Sequence, residues 1–583
     1  MPANSIEQHP GFILRQRFGP PDEEACRLLA GELGISRLLS ILLWQRGITT
    51  ADEAAVFLRP RLADLPSPFA MKDMDRAVAL VAKALREQWP ICIHGDYDVD
   101  GVSSSALLAL FFQSMGVQPI CYQPDRLLNG YGVQPEFIRN NAPENGKQSL
   151  LITVDCGISA FEEVRLARQL GFKVIVTDHH ETPTQLPEAD AVLNPKQPGC
   201  SFPSLDLAGV GVAFFLAMGI RNHLVEQGII TKEQAPNIKQ FMDLVALGTV
   251  ADVMPVTGIN RILVRAGLEI MNTQPRPWVS ALKLVNGSNE GLMTSEDISY
   301  RIAPRINAPG RLGKPHIAFS LLTCADMMMA LELARSVEAM NQQRRHLENE
   351  SLEFVFAESE RLAGKGINGL VVYGEFHPGI IGIIASRVVD RYHKPVFILT
   401  DDSSEVNSIK GSGRSVEGVN LYEVLEACAD TIIQFGGHRM AAGLTLTKEN
   451  LQDFAERFNE IISLKMTEQK VERELVVDCS PRAEEILDEQ FLSQYQMFEP
   501  FGHGNPEPVF LLEQSRVSNP GIIKNHLKYN LEVNGQTYRA IGFGLAEKID
   551  VLIREGPVNL AVKIRNSVFR GVKRTELHTV EVF

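Results

Sequence analysis

The sequence predicts a multidomain α/β protein. A parallel-sheet lobe and a second α/β lobe are joined by a long helix, and a small β-barrel follows. Three observations carry that reading. Between about residues 70 and 180, runs that are apolar on both faces alternate with helical stretches, as in a parallel sheet covered on both sides. Between Pro315 and Gly364 there is neither Pro nor Gly, and apolar residues recur at helical spacing. From about residue 471, short β patterns succeed one another.

The chain has 583 residues, which at about 100–200 per domain argues for roughly three to five domains. Residues 1–68 read as an N-terminal helical cap: 23–33 and 36–44 have helical apolar spacing, and the Pro-rich stretch 60–68 ends the unit. Residues 69–325 form the first lobe. A helix over 75–87 precedes the strand-like run 91–93, an apolar helix covers 103–112, and the runs 150–154 and 173–176 are separated by a helix over 161–170. Residues 326–364 are the connecting helix. Residues 365–470 form the second lobe, with strand-like 370–373 and 396–399, helical 380–392, and Gly-rich turns at Gly436-Gly437-His438 and Ala441-Ala442-Gly443. In 471–583, five strand patterns (509–511, 527–533, 538–543, 558–564 and 577–582) fit a barrel of the oligonucleotide-binding type.

Charge and cysteine usage exclude several classes. With 57 Lys plus Arg against 71 Asp plus Glu, the net charge is −14, so contact with a polyanion must use local basic patches. The 8 cysteines are scattered with no C-x-x-C pair, which excludes a zinc ribbon and favours reduced thiols. The first 18 residues lack a continuous apolar core, and the most apolar run, 207–220, is too short to span a bilayer and reads as a buried helix. A cytoplasmic location without membrane contact is expected.

Four acidic clusters stand out. His94-Gly95-Asp96-Tyr97-Asp98-Val99-Asp100-Gly101 follows one strand, Asp155-Cys156-Gly157 the next, and Thr177-Asp178-His179-His180 another; Asp252 closes a fourth segment at a predicted helix end. A lone Asp after a strand is often a helix cap, and a lone His is more often a packing residue. The conjunction on one sheet edge points instead to a site. Carboxylates this close repel one another without a cation. Oxygen ligands with one or two imidazoles and no thiolate suit Mn²⁺ or Mg²⁺. One or two such ions would support hydrolysis of a phosphodiester by activated water. No Walker A motif, complete G-x-G-x-x-G motif or Ser/Cys nucleophile context competes with this reading.

These clusters resemble the motifs of the DHH phosphoesterase superfamily, whose name is the triplet seen as Asp178-His179-His180, and Gly436-Gly437-His438-Arg439-Met440-Ala441-Ala442-Gly443 resembles the G-G-H-x-x-A-A-G motif of its DHHA1 domain. Asn129-Gly130-Tyr131-Gly132, Ala208-Gly209-Val210-Gly211, the segment 305–311 and the segment 410–415 are similar to the RecJ family, over nearly everything from about residue 70 onward. The resemblance implies a DHH lobe, a DHHA1 lobe and an oligonucleotide-binding barrel. It implies a single-stranded-DNA-specific 5′→3′ exonuclease, releasing 5′-mononucleotides in recombination and repair, with single-strand-binding protein and a RecQ-type helicase as partners.

By the same resemblance Asp96, Asp98, Asp100, Asp155, His179, His180 and Asp252 form the metal site, with Asp98, Asp155, His179 and His180 as catalytic residues. His94 has two readings, a ligand or strand-end packing. Asp178 has the reading of orienting a neighbouring His. Arg126, Arg311, Ser412 and Arg414 are candidates for a 5′-phosphate pocket, since Arg contacts phosphate in bidentate fashion. Arg301, Arg305, Asn307 and Arg311 line a candidate phosphate track, with surface ion pairs as the competing reading of its arginines. His438 is expected against the substrate backbone, and Arg387 reads as structural. In the barrel, basic residues interleaved with Tyr529, Tyr538 and Phe569 suggest single-strand contact. Two rivals remain at this stage: a phosphodiesterase for very short RNAs or cyclic dinucleotides, and a replication scaffold. The long connector and barrel argue against the first and the full ligand set against the second.

Overall fold

The computed structural model describes every residue except 1–5, 10–11, 127–129, 131, 145, 288–290, 403–406, 468–473, 555 and 570–571. The expected parallel-sheet lobe, second α/β lobe, long helix and barrel are all present. In the first lobe five parallel strands lie in the order Ile120–Tyr122, Ile91–Gly95, Ser149–Val154, Phe172–Thr177, Ala191–Leu193. Both faces are covered, as the continuous apolar runs require. Ile91, Ile93, Leu150 and Ile152 face the helices Met74–Arg86, Val99–Gln113 and Gly209–Glu226, while Cys92, Leu151 and Val174 face the other layer. Register then aligns the chemistry. Gly95 pairs with Val154 and Val154 with Thr177, so Asp96, Asp155 and Asp178 each follow the last residue of adjacent strands.

The helix Met327–Gly364 runs 38 residues, about 57 Å at 1.5 Å per residue. Its start is fixed by Asp326, whose side chain accepts from the Met329 N–H at 2.8 Å. The second lobe has a five-stranded mixed sheet, in the order Gln434–Gly437, Ala441–Thr447, Ser408–Arg414, Val396–Asp401, Leu370–Tyr373. The Gly-rich segment that reads as turns is thus two antiparallel strands, joined through His438-Arg439-Met440. Alternation along Ser408–Arg414 buries Gly411 and Gly413, where a Cβ would lie 2.3 Å from Leu399 and 2.4 Å from Phe397. Ser412 and Arg414 consequently face the opposite side.

In the C-terminal segment the first strand is longer than its apolar pattern. Phe510–Ser515 pairs with Val558–Phe569, and its continuation Val517–Ile523 pairs with His526–Val533. With Gln536–Gly542 and Val572–Val582 completing the order, the sheet closes on itself. Tyr529 is 2% exposed and its hydroxyl bonds to Thr579, so it belongs to the barrel core and not to a stacking surface. The Phe569, Arg570, Lys573 and Arg574 side chains, like Asn129 and Tyr131, lie outside the described residues.

The cap is not purely helical. Ile6–His9 and Phe12–Gln16 form a hairpin, and the second strand pairs in parallel with Glu474–Val477. The helices Arg37–Gln45 and Ala51–Leu58 share one apolar core with the barrel, Leu39, Leu42 and Leu43 meeting Phe491, Phe498 and Phe510. A strand whose partner lies more than four hundred residues away leaves little local signal.

Candidate active site

The strand ends deliver their carboxylates into one recess. Asp98 caps the helix Val99–Gln113, accepting from the N–H groups of Asp100 at 2.9 Å and Gly101 at 3.1 Å. Asp155 holds a left-handed backbone, φ 59°. His179 Nε2 lies 3.1 Å from Asp155 Oδ1, 3.6 Å from Asp252 Oδ2 and 3.9 Å from Asp100 Oδ2. Three overlapping sets have their ligand atoms within 4.8 Å of one another: Asp155, His179 and His180; Asp100, His179 and Asp252; Asp96, Asp98 and Asp155. All seven residues expected at a metal are thereby brought together.

Electrostatics follows from that crowding. Burial first, then Asp98, pushes the Asp96 carboxyl well above the usual range. Burial, Asp252 and Asp98 do the same to Asp100, and burial with four neighbouring carboxylates to Asp155. Asp252 is raised to about 7 by burial and Asp98. Burial holds His179 down at about 4, which keeps its imidazole neutral and able to donate a lone pair. A cation relieves this repulsion. Its fit is further supported by two buried acceptors, Asp155 Oδ1 and Asp252 Oδ2, that have no hydrogen-bond partner among the described residues. The set is oxygen and imidazole throughout, which suits Mn²⁺ or Mg²⁺.

Neighbouring groups divide into holders and ligands. Asp178 Oδ1 accepts from the His179 and His180 N–H groups and from His180 Nδ1 at 2.7 Å, and Oδ2 accepts from the Ile158 N–H at 2.9 Å. The Nδ1 contact fixes the His180 ring against Asp178 and leaves Nε2 as its other nitrogen. Asp100 accepts from the N–H groups of Gly209 at 2.6 Å and Val210 at 2.9 Å. His94 packs against the stacked rings of Tyr122 and Phe137, with Nε2 accepting from the Gln134 N–H at 3.1 Å and Nδ1 facing Cys156. Both ring nitrogens meet protein groups, as strand-end packing requires.

The arginines separate into two groups. Arg414 and Ser412 stand over the start of the helix Ile381–Tyr392, where a Cβ on Gly382 would lie 3.1 Å from each. Arg311 donates to the Gly379 carbonyl at 3.2 Å, and Arg126 lies over the Tyr97 ring at 5.3 Å. Among the described residues none of these three arginines has a carboxylate partner. Burial, then Arg126, depresses both Arg311, to about 10, and Arg414. Half-buried like charges beside a helix start make a candidate anion pocket. Arg301 and Arg305 differ: Arg301 pairs with Asp297 at 3.0 Å and Arg305 with Glu338 at 2.5 Å. Their sequence neighbourhood is poor in acid, but the long helix supplies Glu338 from a distance. Asn307 accepts from the Val99 N–H at 3.2 Å and so steadies the catalytic loop. Arg387 pairs with Glu348 at 3.1 Å, the structural reading.

His438 is exposed on the second lobe. Glu181 is held below the usual range by Lys196 first, with burial opposing and His438 and His180 adding. Sequence reasoning assigned no role to Gly209 and Gly310. A Cβ at Gly209 would lie 2.7 Å from Asp155 Oδ1, and one at Gly310 2.7 Å from the Tyr97 carbonyl. Their motifs are visible in the sequence, but the close approaches they permit are not.

Known proteins match this arrangement. Residues 90–249 match the DHH family N-terminal domain, 366–464 the DHHA1 domain and 477–581 the RecJ OB domain. The chain is 35% identical to the single-stranded-DNA-specific exonuclease RecJ of Bacillus subtilis, across 97% of this chain and 70% of that protein. The crystal structure of RecJ in complex with Mn²⁺ from Thermus thermophilus aligns with a TM-score of 0.81 at 27% identity, covering 99% of this chain and 80% of that one. The Mg²⁺ complex from the same organism gives 0.73 at 26%, covering 98% and 78%.

Proposed function

Because the chain belongs to the RecJ family, we propose that it is a single-stranded-DNA-specific exonuclease that hydrolyses phosphodiesters from the 5′ end, releasing 5′-mononucleotides, with Mn²⁺ or Mg²⁺ at the carboxylate–imidazole recess. One observation carries the reading: the recess of seven ligand-type side chains lies beside arginines that have no carboxylate partner among the described residues. Mn²⁺ or Mg²⁺, when bound, supplies Lewis acidity for hydrolysis of a phosphodiester by water. Asp96, Asp98, Asp100, Asp155, His179, His180 and Asp252 are proposed to hold it, Asp178 to keep His180 oriented, and Asn307 to fix the loop that presents Asp98.

The remaining residues position the strand. Arg311, Ser412 and Arg414 are proposed to grip the terminal 5′ phosphate, with Arg126 closing the pocket from the loop that follows the strand Ile120–Tyr122. His438 is proposed to contact the substrate backbone from the second lobe, across from Glu181. Arg301 and Arg305 are proposed as the rim of the track, exchanging carboxylate for phosphate. Residues 69–325, 326–364, 365–470 and 471–583 are proposed as catalytic lobe, connector, DHHA1 lobe and barrel, with 1–68 as a cap. Family resemblance supports single-strand-binding protein, a RecQ-type helicase and a cytoplasmic setting as further proposals. Among the described residues no helix is long and apolar enough to cross a membrane.

A time course on end-labelled single strands with Mn²⁺ tests the reaction. A 5′ label is expected in mononucleotide from the first turnovers, a 3′ label in a shortening ladder, and neither product with EDTA. A 5′ label that stays on long fragments would reverse the assigned polarity. Arg414→Ala is expected to lower kcat/KM on 5′-phosphorylated strands by about 10- to 100-fold, since a charge-assisted bond contributes about 1.5–3 kcal/mol. The loss on 5′-hydroxyl strands is expected to be smaller. Equal losses on both would remove Arg414 from the phosphate pocket.

A further inference from the structure

We propose that Tyr300 is a base-stacking residue for the single strand, set between the barrel and the catalytic loop; the inference rests on the single-strand reading above and adds a residue to it. The segment that carries it links the two parts. Ser295 donates to the Phe501 carbonyl at 2.6 Å and Glu296 pairs with Arg565 of the barrel. At the other end Asn307 accepts from the Val99 N–H of the catalytic loop, and Arg311 donates to the Gly379 carbonyl beside the anion pocket. One helical path thus runs from barrel to catalytic centre.

Along that path the partly open positions form a stripe. Tyr300, Pro304, Asn307 and Arg311 are spaced by four, three and four residues, the spacing of one helix face. Ile302, Ala303, Ile306 and Ala308 between them are buried. Arg301 and Arg305 flank the stripe with cations. Tyr300 itself is 77% exposed. Among the described residues it has no hydrogen bond, ion pair or ring contact. An aromatic ring beside cations on a strand path is a platform any base can use, because every base has a π-face. The backbone there is also unusual: Ile298–Ile302 is a π-type turn leading into the helix Ala303–Arg311. Such turns are frequent at functional sites, and this one sets the ring's direction at the junction.

The spacing gives a testable address. The eleven residue steps of helix from Tyr300 to Arg311 span about 16 Å, which is about five nucleotides at the 3.4 Å rise of stacked bases. The stacked base therefore lies a few nucleotides 3′ of the terminal phosphate.

The experiment uses the full chain in EDTA, so that binding is read without cleavage. The probes are 5′-phosphorylated 12-mer single strands, intact or carrying one abasic site at each successive position. Wild type is expected to lose about tenfold in Kd at one address near the fifth position. Tyr300→Ala is expected to lose the same factor on the intact strand and to show no further loss at that address. Tyr300→Phe is expected to restore wild-type affinity, because the ring and not the hydroxyl is used. A flat abasic profile in wild type, or unchanged affinity in Tyr300→Ala, overturns the stacking role while leaving the exonuclease reading intact. Failure of wild type to bind any single strand defeats both.

Discussion

Asp155→Asn is expected to abolish hydrolysis while leaving the fold in place. Asp155 belongs to two of the three ligand sets, and its buried Oδ1 has no hydrogen-bond partner among the described residues. Asparagine fills the same space beside Gly209 but offers one neutral oxygen where a charged pair stood. Lewis-acid stabilisation of several kcal/mol, at 1.36 kcal/mol per tenfold, sets the loss at about three orders of magnitude. Single-strand binding is expected to persist, since the arginine pocket and barrel are untouched. Turnover within about tenfold of wild type would remove Asp155 from the site.

The same variant has an opposite signature in stability. Burial and four neighbouring carboxylates hold the Asp155 carboxyl well above its usual range. A folded pKa above the unfolded one means that ionisation opposes folding. Metal-free protein is therefore expected to gain stability as pH falls through the folded values and to lose it as pH rises. Asp252, raised to about 7, places one such step near neutrality. In EDTA at pH 8, Asp155→Asn is expected to melt above wild type; with Mn²⁺ the order is expected to invert, because only wild type gains the full binding energy. Melting curves with and without Mn²⁺ read both signs at once, and an equal Mn²⁺ shift in the two proteins would contradict the assignment.

How much of this was legible depended on sequence distance. The runs 91–93, 150–154 and 173–176 are apolar on both faces and each is followed within three residues by Asp, and the register of adjacent strand ends then fixes where those Asp lie. The Pro- and Gly-free interval announced the helix Met327–Gly364. Contacts between distant segments left no such trace. The Arg305–Glu338 pair, the strand pairing of Phe12–Gln16 with Glu474–Val477, and the burial of Tyr529 all depend on partners the local pattern does not name. Asp178 looks alike in sequence to Asp96 and Asp155. Its bonds from the Ile158 N–H and with His180 Nδ1, and its place outside the three ligand sets, set it apart.

Arg261→Met is expected to uncouple the cap and barrel from the catalytic lobe. Arg261 is 1% exposed on the helix Gly258–Thr273. Its guanidinium donates to the Phe57 carbonyl at 2.8 Å, Met497 at 2.8 Å, Phe498 at 3.0 Å, Glu499 at 3.0 Å and Pro500 at 3.4 Å, and lies 3.8 Å from the Phe57 ring centroid. Burial, then Arg265 and Arg46, lowers it to about 9, so it stays charged at neutral pH. Methionine keeps the apolar stem but removes the donor from the Phe57 and Glu499 carbonyls, at about 1–3 kcal/mol each before relaxation, while Asn505 still donates to Phe498 and Pro500 and Arg265 to Met497. A net loss of about 4 kcal/mol is expected. Lysine cannot span the same acceptors with one ammonium and is expected to recover only part of it. The damage is local in kind, because the first lobe has its own core while the cap shares one with the barrel. Arg261→Met should therefore show a separate low-temperature transition and early proteolysis of the linker around 497–506, with the Mn²⁺-dependent shift of the catalytic lobe retained. A single unshifted transition would mean that the apolar contacts alone hold the barrel in register with the cleft. The substitution is sharper than removing residues 471–583, which would also strip the cover from Leu39, Leu42 and Leu43 and confound lost binding with lost folding.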